Sequence, residues 1–267
     1  LSPIDNDRLS RALFLCALLL GSLGLSGCYL PGNSLLGANT KSDGSLPPDP
    51  VPRHEPLSKL GNMPSYVVFG KRYYTLKTAA GYAERGIASW YGPQFHGKKT
   101  SSGEPYNMNA MTAAHPTLPL PTYVRVTNLE TGQNAVVRVN DRGPFKKNRV
   151  IDLSKAAATK LGIIAKGTGL VEVRAITPGA SETAAPAHHP IRGDIYIQVG
   201  AYGEQANAEQ MRQRIGQLGQ PVRIVPPATG ERPLFRVQVG PYHSVEQTDI
   251  QAARIMAMGI ETYIVIQ

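Results

Sequence analysis

Cysteine is scarce in this chain of 267 residues: Cys16 and Cys28 are its only two. They allow one disulfide at most, which excludes a small fold stapled by several bridges. Long apolar runs are missing too. The run Ala12 to Leu20 stops at Gly21, at about nine residues, well short of the ~20 that a helix needs to cross a bilayer. Metal-ligand spacing is absent: His54, His96, His188, His189 and His243 stand in no regular register with Cys or carboxylates, so neither a metal nor another cofactor is implied. Acidic residues are few, 19 Asp and Glu against 28 Lys and Arg, a net charge of +9.

What is present begins with a targeting signal. Arg8 and Arg11 precede the apolar run, and Leu25-Ser26-Gly27-Cys28 follows it. This resembles the lipobox of bacterial lipoproteins. The resemblance implies a signal peptide over 1–27, cleavage before Cys28, and a lipid on the Cys28 sulfur that ties the chain to a membrane. Tyr29 is not the Asp that commonly retains lipoproteins in the inner membrane, so it implies the periplasmic face of the outer membrane.

Residues 28–63 read as a flexible tether rich in Pro and Gly without apolar periodicity, and 178–193 as a linker. Two folded segments are expected, 64–177 and 194–267. Charge separates them. Residues 64–177 hold 16 Lys and Arg and 6 Asp and Glu, whereas 191–267 hold 7 of each. An export signal makes an anionic wall polymer a better partner for the basic segment than nucleic acid.

The first segment reads as mainly β. Gly86 to Tyr91, Tyr123 to Thr127, Ala135 to Val139, Val150 to Leu153 and Gly169 to Ile176 are strand-like. Ser154 is placed to cap a helix over 155–161 that Gly162 stops. Many short strands with one small helix point to a closed barrel. Along the same stretch run Ala88-Ser89-Trp90-Tyr91-Gly92, Phe95-His96-Gly97, Thr100-Ser101-Ser102-Gly103-Glu104, Met111 to Pro119, Val139-Asn140-Asp141-Arg142-Gly143-Pro144-Phe145 and Arg149 to Ser154. In order and spacing these resemble the rare lipoprotein A family of septal lytic transglycosylases. The resemblance implies a double-psi β-barrel, shared with expansins.

It also implies a reaction. A lytic transglycosylase breaks the bond from N-acetylmuramic acid to N-acetylglucosamine without water, and the muramyl C6 hydroxyl attacks C1 to leave a 1,6-anhydro end. The nucleophile belongs to the same sugar, so no second carboxylate need activate water. One carboxyl serves as acid and then as base, and partial burial keeps it protonated near neutral pH. Asp141, at a strand-to-turn junction and at the matching family position, is the first choice. Glu104 and His115 match positions that line the same cleft and take orienting and charge-stabilising roles, with Glu104 the alternative acid. Bland readings stand beside these: Asp141 bracing its turn against Arg142, and His115 as a hydrogen-bonded core histidine.

The second segment contains a repeat. Tyr196-Ile197-Gln198-Val199-Gly200-Ala201-Tyr202 recurs as Arg236-Val237-Gln238-Val239-Gly240-Pro241-Tyr242, 40 residues on. Each copy is followed by a helical run and a short strand, which gives βαβ twice, an α+β ferredoxin-like fold. It resembles the sporulation-related repeat domain, whose family binds glycan strands stripped of stem peptides. Alternation puts Gln198, Arg236 and Gln238 in the middle of the open sheet face, with Tyr202 and Tyr242 near its end. Amides suit sugar hydroxyls and acetamido groups, and Arg236 suits the lactyl carboxylate that is free only on denuded strands. Two functions compete: an enzyme cutting denuded peptidoglycan at the division septum, among septal proteins, and a non-catalytic, expansin-like organiser of the wall. The acidic pair Glu104 and Asp141 favours the enzyme.

Overall fold

The computed structural model describes residues 45–179, 194–227 and 233–267. The signal peptide, Cys28 and nearly all of the 178–193 linker lie outside the described residues.

A hairpin comes first, β1 (Ser65–Val68) against β2 (Lys71–Tyr74). Six strands then close a barrel: β3 (Ala83–Trp90), β4 (Thr112–Ala114), β5 (Thr122–Asn128), β6 (Asn134–Asp141), β7 (Arg149–Leu153) and β8 (Thr168–Ala175), in the order β3-β7-β4-β6-β5-β8. The β3–β7 and β4–β6 pairs are parallel and the other pairs antiparallel. This is the double-psi β-barrel that the motifs imply. Alternation fills its interior: Val124 and Val126 from β5, Val137 and Val139 from β6, Ile151 and Leu153 from β7 and Val171 and Val173 from β8 are fully buried. Helix α1 (Lys155–Lys160) begins where expected. The Ser154 Oγ accepts from the Ala157 N–H at 3.2 Å and donates to the Ala110 carbonyl at 2.6 Å, a cap worth about 1 kcal/mol. Gly162, at φ +68°, turns the chain after it.

Of the expected tether 28–63, only residues 45–63 are described. Residues 45–63 lie against the barrel as an irregular strap, because their polar groups find partners there. The Ser58 N–H donates to the Leu120 carbonyl at 2.8 Å, Asn62 exchanges hydrogen bonds with the Leu120 backbone, and Lys160 pairs with Asp49 at 2.7 Å. Pro-rich composition conceals this, since nothing apolar is periodic in it.

The C-terminal segment is a four-stranded antiparallel sheet, order β10-β11-β9-β12, with two helices on one face. Its elements are β9 (Ile195–Tyr202), α2 (Gln205–Gly216), β10 (Val222–Val225), β11 (Phe235–Tyr242), α3 (Val245–Ala257) and β12 (Tyr263–Ile266). The two repeat strands are the central neighbours, as expected. Ile195, Ile197, Val237 and Val239 face the helices and are fully buried. Barrel and sheet belong to one compact unit. They meet where the Arg149 guanidinium donates to both Asp249 oxygens on α3, at 3.0 and 2.5 Å, and where Asn148 donates to Thr262 at 3.3 Å.

Candidate active site

Strand β4 lies between β6 and β7, and its last residue, Ala114, pairs with Asp141 on one side and Asp152 on the other. Two strand spacings of about 4.8 Å set the two aspartates about 10 Å apart in backbone, with only a methyl group between them. Both line one cleft of about 210 Å³. Tyr91, Phe95 and Tyr106 form one wall, with Tyr91 and Tyr106 rings 4.2 Å apart. Pro144 and Phe145 form the other, and Lys98 and Lys99 contribute to its lining.

Asp141 ends β6, and the chain turns at Gly143, whose φ of +132° belongs to glycine. Three donors converge on Asp141 Oδ1: the Ser101 N–H, the Ser101 hydroxyl and the Arg142 N–H, each at 2.7 Å. That oxygen is saturated, so exchange with a substrate runs through Oδ2. Arg142 is no ion-pair partner for it. Its guanidinium donates to the carbonyls of Gly61, His115 and Leu118 and so fastens the strap to the 115–118 loop.

Asp152 is the cleft carboxyl that sequence reasoning missed. It lay inside a quoted motif, but nothing in the letters signals its burial. Burial pushes the carboxyl up from its ordinary range and the nearby Asp141 charge adds to this. The Ser89 hydroxyl, which donates to Asp152 Oδ1, and the charge of Arg149 pull the other way without cancelling it.

Glu104 sits in the 100–104 turn closed by Thr100, whose N–H and hydroxyl both donate to the Glu104 carbonyl. Its side chain is anchored away from Asp141. Arg138 donates to both carboxylate oxygens at 2.9 and 2.8 Å, and Asn140 donates to Oε2 at 2.8 Å. Burial raises its pKa, but the Arg138 and Asn140 contacts outweigh burial and lower it. An anchored carboxylate of this kind orients and compensates charge; it is a poor proton donor near neutral pH. Arg138 is shared. Strap residue Glu55 takes its Nε and Nη2 at 3.1 and 2.8 Å, and Tyr123 donates to the same carboxylate. Glu55 is thereby held down at about 2, chiefly by Arg138 against burial.

His115 is buried, at 1% exposure. Its Nδ1 accepts from the N–H groups of Thr117 and Leu118 at 3.2 and 3.0 Å. The proton therefore sits on Nε2 and is donated to the Tyr82 hydroxyl at 2.7 Å, which donates in turn to Glu84. Burial and the Arg142 charge hold the imidazole down at about 3, so it stays neutral. The structure links the three sequence-chosen residues by backbone, not by side-chain contact. Ser101, from the Glu104 turn, holds the Asp141 carboxylate, and the His115 N–H donates to the Asp141 carbonyl at 3.0 Å. Among the described residues no group of three or more His, Cys, Asp or Glu side chains is arranged to hold a metal ion.

On the C-terminal sheet Arg223, Gln238, Gln198 and Tyr263 stand side by side across four strands. Arg223 donates to Gln238 Oε1 at 3.1 and 2.8 Å, and its guanidinium lies 3.5 Å from the Tyr196 ring centroid. Arg236 sits further along, paired with Val225 and Ala201. Tyr202 and Tyr242 are not on this face. Register shifts fall between Val237 and Gln238 and between Val239 and Tyr242, and each extra residue turns the following side chains over. Tyr202 then packs over Gly200 on the helix side, where a Cβ would meet its ring at 2.6 Å, and Tyr242 enters the core at 6% exposure. Pro241 in a central strand is the signal that could have revealed the second bulge.

Comparison with known proteins agrees with this architecture. A family described as lytic transglycolase matches residues 83–174, and the SPOR domain family matches 192–266. A Neisseria meningitidis (serogroup A) protein named endolytic peptidoglycan transglycosylase RlpA is 43% identical over 212 residues, covering 79% of this chain and 86% of its own. A Vibrio cholerae protein of the same name is 38% identical over 253 residues, covering 91% and 93%. The chain belongs to the RlpA family. Among solved structures, the SPOR domain of RlpA from Pseudomonas aeruginosa matches 27% of this chain and 96% of its own at 25% identity, with a TM-score of 0.25. The barrel is thus the family's transglycosylase domain and the sheet its SPOR domain.

Proposed function

We propose that this protein is a peptidoglycan lytic transglycosylase that cuts denuded glycan within the strand and leaves 1,6-anhydro ends. The observation that carries this is the pair of carboxyls flanking Ala114 in one cleft, of which burial favours the protonated form of one. Asp152 gives its proton to the glycosidic oxygen as the C1–O bond breaks. The Asp141 carboxylate, through Oδ2, stabilises the oxocarbenium-like centre and takes the proton of the muramyl C6 hydroxyl as that oxygen closes on C1. The acid–base pair ends with its proton exchanged between the two carboxyls, and no water is consumed. Aromatic walls suit the apolar faces of sugar rings. Glu104 and His115 hold the cleft's frame.

The finer placement is also part of the proposal: a lipid on Cys28, the outer membrane, recruitment to the division septum, and the row of Gln198, Gln238 and Arg236 with Arg223 as the glycan-holding face of the C-terminal sheet. The relatives' shared name supports the reaction class. Mass spectrometry of amidase-treated glycan after incubation with the mature protein tests it. Anhydromuramyl ends are expected. Reducing muramyl ends would make the reaction hydrolysis, and uncut glycan would leave an expansin-like binder.

A further inference from the structure

Phe145 is a wall of the Asp141 cleft and also of a neighbouring space. A second space of about 480 Å³ opens between the β1–β2 hairpin and residues 144–150, sharing Pro144 and Phe145 with the cleft. A third, about 260 Å³, lies between residues 147–150 and β12 of the C-terminal sheet. The second and third share Lys71, Lys147 and Asn148 as walls. Adjoining through these shared walls, the three spaces form a trough that leads from the acids to Tyr263, which stands in register with Gln198 on the helix-free sheet face.

The trough is lined for a charged sugar polymer. Lys71, Arg72, Lys146 and Lys147 project along it, and none of the four makes an ion pair with a described carboxylate. Its two acids are already engaged, Glu84 by the Tyr82 hydroxyl and Glu261 by the Tyr263 hydroxyl. Aromatic surface lies beside the cations: Phe145 edge-on to Tyr73 at 5.6 Å, Phe69 at the hairpin tip 92% exposed and Tyr263 57% exposed. Four cations of the barrel segment thus stand beside this passage toward the C-terminal sheet. The Arg149–Asp249 pair fixes the ends of that passage relative to each other.

We propose that this trough is a glycan-binding site for a polysaccharide carrying a carboxylate on alternate sugars, which runs from the acid cleft onto the C-terminal sheet. Lysines take the carboxylates and the aromatic rings take the sugar faces. The C-terminal sheet would then hold the same strand that the barrel cuts. This rests on the transglycosylase reading above.

The test uses the full mature chain with two probes of equal length: denuded glycan oligosaccharides that carry lactyl carboxylates, and chitooligosaccharides that lack them. Lys71→Ala with Lys147→Ala removes two cations that lie outside the acid cleft; Lys166→Ala, on an exposed pair with Glu130, is the control. Loss of two charge-assisted contacts should raise Kd for long denuded glycan about 10-fold and weaken its salt dependence. Chitooligosaccharide binding should hold, as should kcat at saturating glycan while KM rises. Equal weakening on both probes, or no weakening on either, overturns the site. Absence of anhydro ends with the wild type overturns the transglycosylase reading instead, and the binding comparison can be read in either case.

Discussion

The barrel and the C-terminal sheet use polar residues in opposite ways. In the barrel, carboxylates are drawn partly inside and made to share donors: Glu55 and Glu104 on Arg138, Asp141 on Ser101 and Arg142, Asp152 on Ser89. On the sheet, a row of amides and a guanidinium stands on the helix-free face with no carboxylate in it: Gln198 and Arg223 are half-buried, and Gln238, expected to be open, is buried at 2% exposure beneath Arg223, which donates to it. Partial burial changes proton affinity and supports chemistry. An amide row offers donors and acceptors without titrating and supports binding alone. The largest expected effect breaks this contrast directly. Asp141→Asn and Asp152→Asn, each nearly isosteric, should lower cleavage about 10²- to 10⁴-fold while leaving retention on denuded sacculi intact. Gln198→Ala with Arg236→Ala should do the reverse. A sheet variant that lowers kcat as much as the Asp152 variant would end the division of labour.

The fold was legible because strand alternation, the Ser154 cap and the 40-residue repeat are local features. The site was legible only where a motif marked it. Asp152 has no local sign of its burial, since that depends on Ser89 and Ala114 in strands far away in sequence. Glu55 was hidden in Pro-rich sequence that reads as tether, although it shares the guanidinium that holds Glu104. Period-two counting misplaced Tyr202 and Tyr242 because a bulge inverts every face beyond it.

The shared guanidinium gives the next effect in size. Arg138→Met removes the counter-ion that two carboxylates share and leaves only the exposed Arg53, 3.5 Å from Glu55. A fully buried pair broken in this way costs about 3–5 kcal/mol. Glu104 is 42% exposed, so about 2–3 kcal/mol is expected, seen as a lower denaturation midpoint with an unchanged slope. Arg223→Met on the sheet should cost under about 1 kcal/mol. Similar losses for the two would mean that the sheet's cation is as structural as the barrel's.

Acid should distinguish the domains by a smaller margin. The folded-state pKa of His115, at about 3, lies below its unfolded value, so between pH 6.5 and 3 the unfolded chain binds more protons. Stability from this group is full above about pH 6.5 and falls as pH drops, by about 2 kcal/mol between pH 6.5 and 5. Glu55 adds to the loss only as pH falls through its ordinary carboxylate range and on toward about 2. His115→Gln should flatten this slope in calorimetry, and the difference between variant and wild type isolates the histidine. An unchanged slope would mean that the imidazole is charged, and so closer to the chemistry than its burial implies.

Tyr242 gives the smallest effect and the sharpest reading of the sheet. Alternation alone puts it beside the glycan; the bulge puts it in the core, paired with Ile195, its hydroxyl buried without a partner. A buried hydroxyl that makes no hydrogen bond is a desolvation penalty with no return. Removing it as Tyr242→Phe keeps the ring and should leave stability unchanged or raise it by up to about 1 kcal/mol. Retention on denuded sacculi should not move, because the ring faces the helices. Tyr263→Ala, in register with Gln198 and 57% exposed, should weaken retention instead. If Tyr242→Phe lowers retention while Tyr263→Ala does not, the tyrosine hydroxyl reaches the glycan and the bulged register is not the one that binds it.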